Sequence, residues 1–144
     1  MKKQPVKLNL EYIAGFFDGE GCVYASHHDV RVIFTNTNLE LLAAISEFFA
    51  EGKITQKKRT ERDYANKPCY QLVMWNRRAE RVLLLLLPHL ILKRREAELA
   101  LLIMSTFRKH GAPSGHSGNI TLTEETVTLR KALAALLKEA KRCV

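Results

Sequence analysis

The sequence has little cysteine and no long apolar run. It contains three cysteines, Cys22, Cys69 and Cys143, with no CxxC spacing, so neither a disulfide framework nor a zinc knuckle is predicted, and a reducing compartment fits. The leucine run 83–87 is too short to span a bilayer and stops at Pro88. The basic start lacks the apolar stretch of a signal peptide. We therefore expect a soluble, intracellular protein without a membrane partner, in a prokaryotic cytoplasm or an organelle.

Acidic residues are also scarce relative to basic ones. The 144 residues include 23 Lys+Arg and 15 Asp+Glu, a formal net charge of +8. This excess indicates a polyanionic partner, most often nucleic acid, although a basic surface that only confers solubility would give the same count. With 47% hydrophobic and 26% charged residues, the chain should fold. No linker, repeat or composition break divides it, so a single domain over residues 1–144 is predicted.

Periodicity and turn residues predict the order helix, hairpin, helix, hairpin and further helices. Four polar residues are predicted to begin helices: Asn9, Asn38, Asn76 and Thr123. The predicted strands cover residues 22–26, 30–35, 53–59 and 69–75. The apolar faces of the second and last helices are predicted to carry Leu41, Ile45, Phe48, Phe49, Leu129, Leu133, Leu136, Leu137 and Ala140. A glycine-containing loop is expected at 110–119. Strands joined as hairpins predict an α+β fold with an antiparallel sheet and helices on one face.

The first predicted helix, residues 10–19, has two unusual features. Gly15 and Gly19 lie four residues apart on one face, and each lowers helix stability by roughly 1 kcal/mol relative to alanine. Such a pair is useful where another backbone approaches closely. Glu20 lies at the C-terminal end, where the helix dipole favours a cation and disfavours a carboxylate. It is either an exposed glutamate in a capping turn or, if two copies of the helix pack together, part of a site for a divalent cation such as Mg²⁺.

Residues 13–21 read IAGFFDGEG and resemble the motif that names the LAGLIDADG homing endonucleases. Residues 34–42, FTNTNLELL, and 88–93, PHLILK, resemble further segments of the family. The resemblance implies an αββαββα core over about residues 8–108, followed by a C-terminal loop and helix over about 110–144. Because the motif occurs once, the resemblance is to the single-motif, homodimeric branch.

The resemblance also implies roles for individual residues. Glu20 would bind Mg²⁺, with Mn²⁺ as a substitute, and the backbone carbonyl of Gly19 would be a second ligand. Asn36 would organise water at the active site, and Lys93 would act near the scissile phosphate. The plainer alternatives are a helix cap for Asn36 and a solvated lysine at a helix start for Lys93. Residues 39–41 read LEL where family members often carry a second basic residue.

Two surfaces follow from these expectations. The dimer interface is predicted at Tyr12, Gly15, Phe16 and Gly19. Strand alternation predicts a polar, DNA-binding face that carries Tyr24, Ser26, His28, Arg31, Thr35, Lys53, Thr55, Lys57, Arg59 and Gln71. Residues 53–67 hold six Lys/Arg against two acids. A solvated polar strand face is the alternative for any one of these side chains.

The predicted function is site-specific cleavage of double-stranded DNA by a metal-dependent homodimer. The target would be long and pseudo-palindromic, and by resemblance the cuts would leave short 3′ overhangs. Two alternatives remain open at this point. One is a catalytically inactive nucleic-acid-binding protein, either an intron RNA maturase or a DNA-binding regulator. The other is a small basic scaffold protein whose helices pair through Gly15 and Gly19.

Overall fold

A computed structural model describes residues 6–58, 67–109 and 123–142. The elements in chain order are α1 Leu10–Glu20, β1 Gly21–Ala25, β2 Val30–Asn36, α2 Leu39–Phe49, β3 Lys53–Gln56, β4 Tyr70–Trp75, α3 Arg77–Leu86, a 3₁₀ turn Leu87–His89, α4 Arg94–Lys109 and α5 Glu124–Arg142. The predicted α+β class, with an αββαββα core and additional C-terminal helices, is confirmed. The described helices are all too short or too polar to cross a bilayer.

The four strands form one antiparallel sheet in the order β1-β2-β4-β3. Side chains alternate between its faces, and one face lies under the helices. On that covered face Val23 pairs with Val32, which pairs with Met74, and all three are fully buried. The opposite face, called the open face below, carries the alternate residues of each strand, such as Tyr24, Arg31 and Trp75. The register therefore separates an apolar core from a second face on which Tyr24, Lys53, Thr55 and Trp75 are exposed.

Local capping bonds explain where several helices begin. The side chain of Asn9 accepts the N–H of Tyr12 at 2.8 Å. Asn38 likewise accepts the N–H of Leu41 at 3.1 Å. These predicted caps are confirmed, because an Asn side chain can satisfy one of the unpaired donors of the first turn. Thr123 does the same for α5 through the N–H of Thr126, at 3.3 Å.

Asn76 precedes α3 as predicted, but its side chain does not cap the helix. Its carboxamide oxygen instead accepts the backbone N–H of Val30 at 3.0 Å, and its own N–H donates to the Val30 carbonyl at 2.8 Å. Asn76 adopts a positive φ of 50° to do so. A contact across 46 residues of chain therefore replaces the local cap. It ties the end of β4 to the start of β2.

Two helices cover the core with most, but not all, of the apolar residues predicted for them. In α2 the buried residues are Leu42, Ile45 and Phe49, whereas Phe48 is exposed. In α5 the buried residues are Thr126, Arg130 and Leu137, whereas the exposed leucines are Leu129 and Leu136. Of the five residues predicted for the apolar face of α5, Leu137 is buried and Leu133 and Ala140 pack partly buried against the core, so the prediction is wrong for Leu129 and Leu136 and missed the buried Arg130. The predicted loop at 110–119 lies outside the described residues.

Candidate functional site

Helix α1 has one side in the core and one side open. Ile13, Ala14 and Phe17 are fully buried beneath it. On the opposite side, a Cβ built on Gly15 or Gly19 would meet nothing within 4 Å among the described residues. Within this part of the chain, no contact requires glycine at either position. The space beside Gly15 and Gly19 is therefore available to another molecule.

The two aromatic residues predicted beside these glycines differ in environment. Tyr12 is half exposed. Phe16 is partly buried, and its ring stacks on that of Phe34 with centroids 6.2 Å apart and planes 5° apart. Phe34 belongs to the covered face of the sheet. Phe16 is thus held partly against the core, whereas Tyr12 is the more exposed of the two aromatic residues.

Glu20 is the last residue of α1 and is exposed. No described residue forms a hydrogen bond or ion pair with its carboxylate. A lone carboxylate at a helix C-terminus faces the negative end of the dipole. Carboxylate and carbonyl oxygens, here those of Glu20 and Gly19, are hard ligands of the kind that Mg²⁺ prefers. The donor set therefore fits a hard divalent cation.

Asp18 joins the end of α1 to the segment that precedes α4. Its carboxylate accepts the backbone N–H of Ile91 at 2.9 Å and that of Lys93 at 3.0 Å. The ammonium group of Lys93 in turn donates to the backbone carbonyl of Asp18 at 2.7 Å. These three bonds hold Lys93 beside Asp18 in the last turn of α1, although the two residues are 75 positions apart in sequence. Asp18 precedes Glu20 by two residues, so Lys93 lies close to the end of the helix that carries Glu20.

Asn36 ends strand β2 at the same end of the sheet. Because Phe34 pairs with Gly21, Asn36 extends past the point at which α1 joins β1. Its carboxamide oxygen accepts the backbone N–H of Asn38 at 2.8 Å and so forms a local turn. The residue that caps α2 is Asn38 rather than Asn36. The predicted catalytic residues Glu20, Asn36 and Lys93 thus share one end of the molecule.

A cleft of about 360 Å³ lies beside this junction. It is lined by Asp18, Gly21, Cys22, Leu92, Lys93, Glu96 and Lys141. Glu96 is only 5% exposed. Burial raises the pKa of its carboxyl, while the nearby ammonium groups of Lys141 and Lys93 act in the opposite direction. Lys141 reaches the cleft from the last turn of α5, where its ammonium group lies 3.6 Å from the sulfur of Cys22.

Sequence reasoning missed both Glu96 and Lys141. A signal for Glu96 exists, because it falls on the same helical face as the buried Ala100, Ile103 and Phe107. A charged residue on an apolar face marks a special environment. No local pattern singles out Lys141, because only the packing of α5 brings it near β1.

The open face of the sheet brings most of the predicted DNA-binding residues into rows. Tyr24 pairs with Arg31, which pairs with Trp75. The guanidinium of Arg31 lies 5.0 Å from the Tyr24 ring centroid, and its Nε lies 2.6 Å from a carboxylate oxygen of Asp29. Trp75 is 37% exposed on this face and was not among the predicted residues. Strand alternation could have identified it, because residues 71, 73 and 75 of β4 point to the same face.

A second row on the open face consists of Thr35, Gln71 and Thr55, which pair directly across three strands. Lys53 lies one alternation along β3 from Thr55, opposite Val73. These side chains share one face of the sheet, as the alternation predicts, and the apolar pair Ile33 and Val73 lies between the two rows.

The remaining predicted contacts lie at the ends of the strands. Ser26 belongs to the turn between β1 and β2, where its hydroxyl accepts the backbone N–H groups of His28 and Asp29 at 3.1 and 3.2 Å. His28 is exposed there. Lys57 follows β3 and is exposed, with its backbone N–H donating to the Cys69 carbonyl at 2.8 Å. Arg59 lies outside the described residues.

Solved structures with the same fold include homing endonucleases bound to DNA. I-CvuI in complex with its target Sro1.3 in the presence of 2 mM Ca aligns with a TM-score of 0.69 and 20% identity, over 91% of this chain and 80% of that chain. The archaeal intron-encoded homing endonuclease I-Vdi141I, complexed with DNA, aligns with a TM-score of 0.70 and 21% identity, over 91% and 82%. At these identities the similarity establishes the fold.

The sequence itself identifies the family. Residues 7–86 match the family model described as a LAGLIDADG-like domain. This match covers more than half of the 144 residues, and the chain belongs to the LAGLIDADG-like family. The family predicted from residues 13–21 is thereby confirmed. Among curated proteins, none matches the sequence.

Proposed function

We propose that this protein is a homodimeric, divalent-metal-dependent endonuclease that cleaves double-stranded DNA at a specific site. The position of Glu20 carries the proposal. Its carboxylate is exposed and unpaired within the described residues. Glu20 is the residue immediately after Gly19, which belongs to the open side of α1. The basic composition and the polar open face of the sheet supply the affinity for DNA that such an enzyme needs.

The open side of α1 supports a symmetric dimer. Two copies of the helix could approach closely through Gly15 and Gly19, because a Cβ added at either position would have no neighbour within 4 Å among the described residues. Tyr12 and the exposed part of Phe16 would pack at the flanks. Two-fold symmetry would bring the Glu20 carboxylates of both copies together at the axis. Like charges in that position are unfavourable unless cations lie between or beside them.

The described residues of one protomer do not form a complete metal site from side chains. Among the described residues, no three His, Cys, Asp or Glu side chains are grouped closely enough to hold an ion. The Glu20 carboxylate and the Gly19 carbonyl would hold Mg²⁺, or Mn²⁺ in its place, with DNA phosphate oxygens and the second copy completing the shell. The bound ion would supply Lewis-acid stabilisation and lower the pKa of water.

Lys93 and Asn36 take the remaining roles. The Lys93 ammonium uses one of its three donors on the Asp18 carbonyl. The others would neutralise charge that develops on the scissile phosphate. The amide NH₂ of Asn36 would orient a water molecule, since its carbonyl oxygen accepts the Asn38 N–H.

The open faces of two copies would read the two halves of one long target. Ribbons of antiparallel strands can enter the major groove, where base edges present distinct donors and acceptors. Arg31 and Gln71 have side chains able to form paired hydrogen bonds with guanine and adenine. A two-fold dimer predicts a pseudo-palindromic site, with cuts on both strands that leave short 3′ overhangs.

The proposal is tested with a randomised duplex library. Wild type, Glu20→Gln and Glu11→Gln proteins are incubated with Mg²⁺ and the cut ends are sequenced. Glu11 is an exposed acid in the first turn of the same helix, so its variant controls for loss of charge. We expect wild type and Glu11→Gln to cut one near-palindromic site. Glu20→Gln should bind that site with cleavage reduced by about 10³-fold or more, the scale of losing a principal electrostatic contributor.

A different result would support the inactive binding proteins considered from the sequence. If no protein cuts, and each binds nucleic acid equally well in Mg²⁺ and in EDTA, the catalytic proposal fails. Preference for structured RNA over duplex DNA in that experiment would indicate a maturase. Preference for duplex DNA would indicate a regulator.

A further inference from the structure

The cleft beside Gly21 receives positive charge from two separate parts of the fold. Lys93 enters it from the segment before α4, and Lys141 enters it from the last turn of α5. Residue 141 lies well beyond residues 7–86, the segment that matches the family model. Helix α5 thus adds a basic group beside the junction at which Glu20 ends α1.

The position of Lys141 is a consequence of how α5 is anchored. Arg130, 1% exposed, donates from Nε to the Thr106 hydroxyl at 2.7 Å and from Nη1 to the His27 carbonyl at 3.2 Å. Leu137 is buried two turns further along. Lys141 follows Leu137 by four residues and therefore lies on the same side of the helix. The anchored face of α5 directs this lysine towards the start of β1.

The ammonium group of Lys141 has unused capacity for an anion. Its hydrogen-bond partner is the Cys22 sulfur at 3.6 Å, and a thiol is a weak acceptor. Lys141 is exposed, so a ligand can reach it. The carboxylate of Asp18 is already bound to two backbone N–H groups. Glu96 is the other acid of the cleft, and its burial disfavours the charged form.

We propose that Lys141 binds a DNA phosphate beside the scissile bond, so that α5 contributes directly to the active site. The proposal rests on the proposed endonuclease function. It assigns to Lys141 a sequence-independent electrostatic contact of the kind that fixes DNA in register. The plain alternative is a solvated lysine that only offsets the negative end of the α5 dipole.

The salt dependence of binding tests the contact without requiring cleavage. The probe is a duplex enriched by binding from the randomised library in Ca²⁺. Wild type, Lys141→Met, Lys141→Arg and Lys138→Met are compared. Lys138 is an exposed lysine of the same helix outside the cleft, so its variant removes an equal charge nearby. Each phosphate contact contributes about 0.9 to the slope of log K against log salt, so a dimer that loses two should change by about 1.8.

We expect Lys141→Met to show this smaller slope, with Lys141→Arg and Lys138→Met close to wild type. The single-turnover cleavage rate of Lys141→Met should fall by at least about 10-fold, since the lost charge faces the reacting phosphate. Circular dichroism should show equal thermal unfolding for all four proteins.

The outcomes separate this proposal from the proposed function. If Lys141→Met and Lys138→Met share one slope and one rate, the proposal is overturned and Lys141 is a solvated helix-end residue. A rate that falls without a change in slope also overturns it. If wild type binds but never cuts, while Lys141→Met still shows the smaller slope of log K against log salt, the phosphate contact stands and the endonuclease function fails.

Discussion

The two sides of helix α1 differ in their packing, although both belong to the same 11 residues. The inner side carries Ile13, Ala14 and Phe17, all fully buried, and Phe17 packs against Phe34 with ring centroids 5.1 Å apart. The outer side carries Gly15 and Gly19, which together lower helix stability by about 2 kcal/mol relative to alanine. No contact among the described residues offsets that loss. The inner side explains the fold, whereas the two glycines of the outer side are accounted for by the dimer proposed above.

The largest effect on stability is expected from the inner side. Phe17→Ala should lower the free energy of unfolding by about 3–5 kcal/mol, because it leaves a cavity under α1. Urea denaturation measures the change. Phe48→Ala is the control, since Phe48 is 43% exposed and should lose less than about 1 kcal/mol. Equal losses for the two variants would mean that the core does not rest on the inner side of α1.

An intermediate effect is expected from Asp18, which lies between the two sides. Asp18→Asn should lower the free energy of unfolding by about 1–3 kcal/mol, because the amide keeps one acceptor oxygen for two backbone donors. The amide hydrogens of Ile91 and Lys93 should exchange faster in the variant, and hydrogen exchange read by NMR measures this. Unchanged exchange at both amides would contradict the role of Asp18 in holding the start of α4.

The smallest effect on stability, with an unusual sign, is expected from the outer side. Gly15→Ala should stabilise a dilute, monomeric protein by up to about 1 kcal/mol, yet weaken the dimer because two Cβ atoms would separate the helices. Thermal unfolding and sedimentation across a concentration series measure the two effects. Gly21→Ala is the contrast, because its Cβ would overlap the Phe17 ring and destabilise the monomer itself. A Gly15→Ala dimer as tight as wild type would place the interface elsewhere.

Prediction from sequence succeeded where the relevant interaction lies within one turn of a helix or one strand. Asn9, Asn38 and Thr123 cap their helices through N–H groups three residues ahead. The open-face rows of Thr35, Gln71 and Thr55 follow from strand alternation. Both patterns express short-range geometry of the backbone, which depends little on what the rest of the chain does.

Prediction failed where contacts with distant segments determine which residues of a helix are buried. On the buried side of α5, Arg130 donates to the Thr106 hydroxyl and the His27 carbonyl, and its guanidinium carbon lies 4.0 Å from the centroid of the Phe107 ring. These contacts replace part of its hydration, while Nη2 has no hydrogen-bond partner among the described residues. Without knowledge of these partners, burying Leu129 and Leu136 is the better local choice. Helix periodicity alone identified Leu133, Leu137 and Ala140 as core-facing but not the buried Arg130.

The sequence by itself determined the family motif, the order of the elements, three of the caps and the polar side of the sheet. Each of these depends on residues a few positions apart, so the local chemistry contains the answer. Only the tertiary structure decided that Asn76 binds Val30, that Asp18 holds Lys93, and that Lys141 lies 3.6 Å from Cys22 across 119 residues. Such contacts form when packing closes long loops of chain, and their partners are chosen by the shape of the whole core rather than by any segment within it.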